Sequence, residues 1–207
     1  MRKVSQPALL PDALPEGFVY QPGFLHTTEH DELLRHIAAL NFEAFDFHGY
    51  IAKRRVVEYG FAYDFGSRKT SAAQPIPDFL IPLRNKAARF AGLVPEDLVE
   101  AVVTEYPPGA PIGWHRDVPQ FETIIGISLA GSARMRLKPY RSKGKIQSVI
   151  LEPGSMYVMR GVARWQFQHS IPAVENLRYS ITFRTLAKKK PAQKANKVEG
   201  GMSQRRT

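Results

Sequence analysis

From Leu98 onward the chain changes its period. Six short runs rich in β-branched and aromatic residues follow one another: Val99–Tyr106, Thr123–Ala130, Ala133–Pro139, Ile146–Leu151, Met156–Arg160 and Leu177–Leu186. Turn residues separate them. Short strands punctuated in this way read as an antiparallel sandwich or barrel. Upstream the apolar spacing is helical. Thr28-Glu-His-Asp-Glu sets a hydroxyl cap before acids that face the positive end of a helix dipole. Leu33, Leu34, Ile37 and Leu40 follow on one stripe, which predicts a helix over 29–40. Leu80, Leu83, Ala87 and Phe90, entered through prolines and closed by Gly92, predict a second helix over 77–92. The fold class is α+β, with N-terminal helices packed on a β-domain.

The ends differ from the body. Residues 1–17 form a proline-punctuated arm without an apolar signal core, which favours the cytoplasm; Phe18 to Leu25 can start the fold. No apolar run reaches the roughly 18 residues of a membrane span, so no membrane partner is expected. The absence of Cys excludes disulfides, thiolate nucleophiles and Cys-ligated zinc. The net charge is +10, but five Lys and two Arg against one Glu put +6 of it in residues 188–207. The preceding 187 residues carry only +4. A basic tail so poor in large apolar side chains cannot offset its ordering entropy and reads as disordered. Basic tails touch nucleic acid or merely solubilise.

Residues 53–66 combine β-branched and aromatic residues around Gly60 and read as a hairpin or a bent strand pair. Lys53, Arg54 and Arg55 lead in; Arg68 and Lys69 lead out. Cations interleaved with aromatics suit stacking on bases beside phosphates. A half-buried strand pair with a solvated rim has the same composition. Phe42, Phe45 and Phe47 form an aromatic cluster that fits a strand or a loop.

The stretch Tyr106-Pro-Pro-Gly-Ala-Pro-Ile-Gly-Trp114-His115-Arg-Asp117 ends in a His and an Asp two positions apart. On an extended strand such positions share a face, so an imidazole and a carboxylate could bind one metal ion. A histidine at a strand end can equally be structural. Of the six histidines only His115 and His169 lie in the β-rich part, which makes His169 the candidate third ligand. Two imidazoles and a carboxylate leave positions open on an octahedral ion, an arrangement suited to Fe(II) that also binds O2 and a co-substrate. Arg178 and Arg184 are six residues apart on the last run and so also share a face. At strand rise their Cα atoms lie about 20 Å apart, so a small diacid reaches both only if the strand curves and the long arms converge. Buried guanidinium groups still require anionic partners, and a dicarboxylate would serve.

In this order, His-x-Asp, a distant His and Arg-x5-Arg, the chain resembles the AlkB family of Fe(II)- and 2-oxoglutarate-dependent dioxygenases. Leu151-Glu-Pro-Gly-Ser-Met-Tyr-Val-Met-Arg-Gly161, Arg164 and His169-Ser-Ile belong to the same pattern. The resemblance implies a double-stranded β-helix, or jelly roll, over 18–187, with residues 50–70 as a nucleotide-recognition lid. It implies Fe(II) on His115, Asp117 and His169, and 2-oxoglutarate and O2 as co-substrates. Arg178 would pair with the distal carboxylate, and Tyr106 and Arg184 would bond the other oxygens. Thr104 and Ser180 stand where the family often has Asn, and each keeps a hydrogen-bonding group. Tyr59 and Tyr63 are the implied base contacts, with Arg54, Arg55 and Trp114 beside them. The implied activity is oxidative demethylation of N-alkylated bases in DNA or RNA by a monomer, on single-stranded or flipped-out bases. Pro119 occupies a position where many nucleic-acid repair members carry an acid that reads the base. The same chemistry on a protein or small molecule, or a nucleic-acid-binding module with a structural metal, are the alternatives.

Overall fold

The computed structural model describes residues 14–47, 50–64 and 69–187, with the side chains of 45–50 and 62–72 left aside. The basic tail and most of the proline-punctuated arm lie outside these residues. In chain order the elements are β1 (Phe18–Gln21), α1 (Thr27–Ala38), β2 (Glu43–Phe47), β3 (Tyr50–Tyr59), β4 (Phe61–Asp64) and β5 (Lys69–Ala72). Next come α2 (Ile81–Ala91), β6 (Leu98–Tyr106), β7 (Ile112–His115), β8 (Phe121–Ala130), β9 (Ala133–Pro139) and β10 (Gln147–Leu151). The chain continues with β11 (Met156–Met159), α3 (Gly161–Gln166), β12 (Phe167–Ile171) and β13 (Arg178–Leu186). Single 3-10 turns precede α2 and β6.

Seven strands form one antiparallel sheet in the order β1-β11-β8-β13-β6-β3-β2, and four form a second, β10-β9-β12-β7. The two pack face to face as a jelly roll, with α1 and α2 on the outer side of the larger sheet. The six runs foreseen from sequence all appear as strands. The central strands β6, β8 and β13 are buried along almost their whole length because both faces are covered. Their alternation decides the rest of the molecule. Ala101, Val103, Ile181 and Phe183 turn toward the helices and pack with Ile37, Leu80 and Leu83. The intervening Glu100, Val102, Thr104, Tyr106, Arg178, Ser180, Thr182 and Arg184 turn inward to a cavity between the sheets. An apolar cluster including Phe18, Phe121, Met135, Leu137 and Ile171 joins the two sheets below it.

Three local expectations are revised. Helix α1 starts at Thr27 rather than after Thr28, because Glu29 Oε2 accepts a hydrogen bond from the His26 backbone N–H at 2.8 Å. It ends at Ala38, before Leu40, with the Ala39 N–H donating back to the His36 carbonyl. Residues 53–66 are the bent pair and not a hairpin: β3 pairs with β2 and β6, while β4 pairs only with β5. The bend is at Gly60, with φ of 79°, where an added Cβ would lie 2.0 Å from the Val99 carbonyl oxygen. The third revision is β7 and β12, two short strands absent from the six runs; they carry His115 and His169. Gly126, in the middle of β8, makes room for the Tyr157 ring, which a Cβ there would meet at 2.3 Å. Among the described residues no helix is long and apolar enough to cross a membrane.

Candidate active site

β7 and β12 are paired so that His169 stands opposite His115, with ring centroids 4.2 Å apart. Asp117 lies just past the end of β7, so a turn of the chain, not strand alternation alone, brings it beside them. Its Oδ2 is 3.7 Å from His169 Nε2. The chain at Asp117 is held from behind by Arg164, which is 1% exposed. Arg164 Nη2 donates to the carbonyls of Asp117, Val118 and Phe121 at 3.2, 2.8 and 2.7 Å. One buried guanidinium thereby fixes the loop that presents the carboxylate.

The electrostatics suit a cation. Burial acts to raise the Asp117 carboxyl, but Arg184, His169 and His115 outweigh it and hold it well below the usual carboxylate range. Burial first, then the neighbouring His115, push His169 down to about 3, so its imidazole is neutral with a lone pair to give. His115 Nδ1 lies 2.9 Å from the Gly113 carbonyl oxygen. A carbonyl only accepts, so Nδ1 carries the hydrogen and the lone pair sits on Nε2. Asp117 Oδ1 accepts from Arg184 Nε and Nη2 at 3.2 and 3.0 Å, whereas the buried Oδ2 has no hydrogen-bond partner among the described residues. A buried carboxylate oxygen facing a neutral imidazole fits a metal ion. The three donors pack on one another; among the described residues no three are already spread around one point at ligand distances.

The cavity has a volume of about 720 Å3, and its floor is the inner face of β3, β6 and β13. The register sets residues in rows: Tyr106 opposite Arg178, Thr104 opposite Ser180, Glu100 opposite Arg184. Arg178, 1% exposed, lies 4.8 Å from the Tyr106 ring centroid. Its Nε donates to Ser128 Oγ at 3.1 Å, and its buried Nη1 has no partner among the described residues. A buried guanidinium donor left over at the wall of a cavity can take an anion as its partner. Arg184 is in the same cavity but already engaged, by Asp117 and by Glu100. It thereby orients Asp117 while lining the same cavity as Arg178. Thr104 and Ser180 face the cavity between the two arginines.

The substrate-side candidates separate by strand alternation. Arg54 lines the cavity together with Ala52, Val56 and Glu58. Arg55 points to the opposite face, where Nε and Nη2 donate to Glu105 at 2.9 and 3.0 Å. Tyr59 packs with the helix-side cluster. Neither Arg55 nor Tyr59 lines the cavity, and the Tyr63 side chain lies outside the described residues. Trp114 is at the cavity mouth with Tyr140 and Arg116.

Sequence reasoning missed Glu58 and Glu100. The visible signal was an acid inside each of two otherwise strand-like runs. Burial, then the proximity of Glu100, push the Glu58 carboxyl up to about 7. A carboxyl raised in the folded state favours folding below its unfolded value and loses that advantage as pH rises through the folded value. Stability should therefore fall between about pH 4.5 and 7, by roughly 2 kcal/mol once partial exposure is allowed for. Glu58→Gln should remove this slope, and urea denaturation of both proteins at pH 5 and 8 measures it.

Residues 17–184 match the model of the 2OG-Fe(II) oxygenase superfamily. The chain is 32% identical over 161 residues to bovine alpha-ketoglutarate-dependent dioxygenase alkB homolog 7, mitochondrial, spanning 76% of this chain and 68% of the relative. It is 27% identical to the Arabidopsis thaliana protein named alkylated DNA repair protein ALKBH8 homolog, over 75% of this chain and 51% of that one. The solved structure of OsALKBH1 superposes with a TM-score of 0.66 at 17% identity, covering 84% of this chain and 98% of that one. A 2OG-Fe(II) oxygenase family protein from Burkholderia pseudomallei gives 0.61 at 16% identity, covering 84% and 89%. These two share the fold. The chain belongs to the AlkB family of the 2OG-Fe(II) oxygenase superfamily, and is a dioxygenase that uses Fe(II), 2-oxoglutarate and O2.

Proposed function

We propose that this dioxygenase is an oxidative demethylase of N-alkylated bases in DNA or RNA. The observation that carries the substrate class is the cavity mouth. There the rings of Trp114 and Tyr140 are each flanked by two cations, with Lys138 at 4.4 Å and Arg136 at 5.0 Å from Trp114, and Arg116 at 3.8 Å and Arg141 at 5.0 Å from Tyr140. Flat rings among cations suit a base stacked at the entrance with its phosphates alongside. The relatives' names support the same class: one is an alkylated DNA repair protein, and a Xenopus tropicalis relative is named a tRNA methyltransferase.

In this reading His115, Asp117 and His169 hold the iron, and Arg164 and Arg184 position Asp117. Arg178 holds the distal carboxylate of 2-oxoglutarate, with Tyr106, Thr104 and Ser180 along its length. Bound iron couples oxidative decarboxylation of 2-oxoglutarate to hydroxylation of the alkyl carbon, with succinate, CO2 and finally an aldehyde released. The protein's own share is to hold donors on one side of a water-excluding cavity, fix the dicarboxylate and aim the alkyl group. The base enters single-stranded or flipped out of a duplex. Within the 50–70 segment, β3 contributes Arg54 and Glu58 to the cavity. Arg55 and Tyr59 face away and support rather than touch the substrate. The domain spans 18–187 and acts as a monomer in the cytoplasm.

The test is mass spectrometry of products from methylated bases in single- and double-stranded oligonucleotides, free methylated nucleosides and methylated peptides. Loss of methyl from the single-stranded oligonucleotides is expected. Demethylation or hydroxylation of peptides alone would move the protein to a different substrate class.

A further inference from the structure

The modest charge of the body conceals a segregated one. Residues 123–151 contain six cations and no acid, so the remainder of residues 1–187 carries −2. In β9 the alternation puts Ala133, Met135 and Leu137 into the core between the sheets. Arg134, Arg136 and Lys138 therefore project from the outer face of the four-stranded sheet. Arg141, Lys143 and Lys145 follow in the β9–β10 turn, all exposed. None of the strands of this sheet contains an acidic side chain. Several cations elsewhere are paired with acids: Arg55 with Glu105, Lys86 with Glu29, Arg184 with Glu100 and Asp117. Among the described residues none of these six makes an ion pair.

We infer that the outer face of the four-stranded sheet, with the β9–β10 turn, is a track for the phosphate backbone of a single-stranded nucleic acid that ends at the cavity mouth. Three features support a polynucleotide over a small anion. The cations are spread over a strand and a turn, not gathered into one pocket. The strip leads to Trp114 and Tyr140, both of which line the cavity. β7 is the edge strand, and Trp114 on its outer side immediately precedes His115 on its inner side. A strand lying along the cations thus arrives within one residue of a metal-ligand candidate, where a base can turn into the cavity. Arg136 Nε is tied to Ser170 Oγ at 3.0 Å, which leaves Arg134, Lys138 and the turn lysines as the movable contacts.

This track rests on the nucleic-acid reading, and the experiment separates the two. Arg134→Gln/Lys138→Gln and Lys143→Gln/Lys145→Gln are compared with Arg35→Gln/Arg89→Gln, two exposed cations on the helical side. Binding of a fluorescent single-stranded oligonucleotide carrying one N-methylated base is followed by anisotropy across a salt series. Each track pair should lower the salt slope by roughly 1.4, the value for two phosphate contacts on a single strand, and weaken binding at least about tenfold at low salt. Turnover on the oligonucleotide should fall by a larger factor than turnover on the methylated nucleoside. If either track pair misfolds, the other decides. The track is overturned if the wild type binds and demethylates the oligonucleotide but the track pairs lose no more slope than the Arg35/Arg89 control. If the wild type neither binds nor demethylates any oligonucleotide, the nucleic-acid reading fails and the track falls with it.

Discussion

Asp117→Ala is expected to abolish succinate formation from 2-oxoglutarate while the far-ultraviolet spectrum of the folded protein is kept. The carboxylate is buried, held ionised by Arg184, and has one oxygen without a hydrogen-bond partner among the described residues. It is the one anionic donor beside two imidazoles, so its loss removes both a ligand and the charge that attracts the cation. Loss of a metal's catalytic contribution of several kcal/mol corresponds to at least about a thousandfold in rate. Arg184 retains Glu100, so the strand that carries it is not left with an uncompensated charge. Asp117→Asn keeps the shape and removes the charge, and should be as inactive. Succinate production by either variant at the native rate would remove Asp117 from the metal site.

Arg178→Ala is expected to weaken 2-oxoglutarate binding by about a hundredfold or more, the scale that follows when a buried charge-assisted partner of a carboxylate is removed. Its guanidinium is almost wholly buried against Tyr106, anchored by Ser128, with one nitrogen still unsatisfied. That free donor is the reason to expect a carboxylate there. Arg178→Lys keeps the charge but not the planar fork, and should lie between wild type and Ala. Calorimetric titration of 2-oxoglutarate into each protein loaded with a redox-inert divalent ion reads this directly. Equal affinities in wild type and Arg178→Ala would exclude the residue from the co-substrate site.

Much of this site was legible in the residues because it depends on strand alternation. Arg178 and Arg184 share a face as their spacing requires, and the row between them, with Thr104 opposite Ser180, lies in the same cavity. The misreadings have the same origin. In β3 the alternation sends Arg54 and Glu58 inward and Arg55 and Tyr59 outward, and nothing in a run of cations and aromatics says which set faces the core. Only the pairing of β3 with β6 decides it. β7 and β12, Ile-Gly-Trp-His and Phe-Gln-His-Ser-Ile, lack a run of β-branched residues and owe their position to neighbours in the sheet. The contact of Arg184 with Glu100 spans 84 residues, and no local pattern announces it. The acid-free run 123–151 was in plain view, but its meaning depends on the sheet gathering its cations onto one outer face.

The most direct test of the central claim is the decarboxylation of 2-oxoglutarate by the Fe(II)-loaded protein, with and without a single-stranded oligonucleotide carrying an N-methylated base. The expected result is a rise in succinate well above the rate without oligonucleotide, matched by one aldehyde for each succinate formed. The contradicting result is no stimulation by any methylated oligonucleotide, with succinate rising instead on a peptide or small molecule.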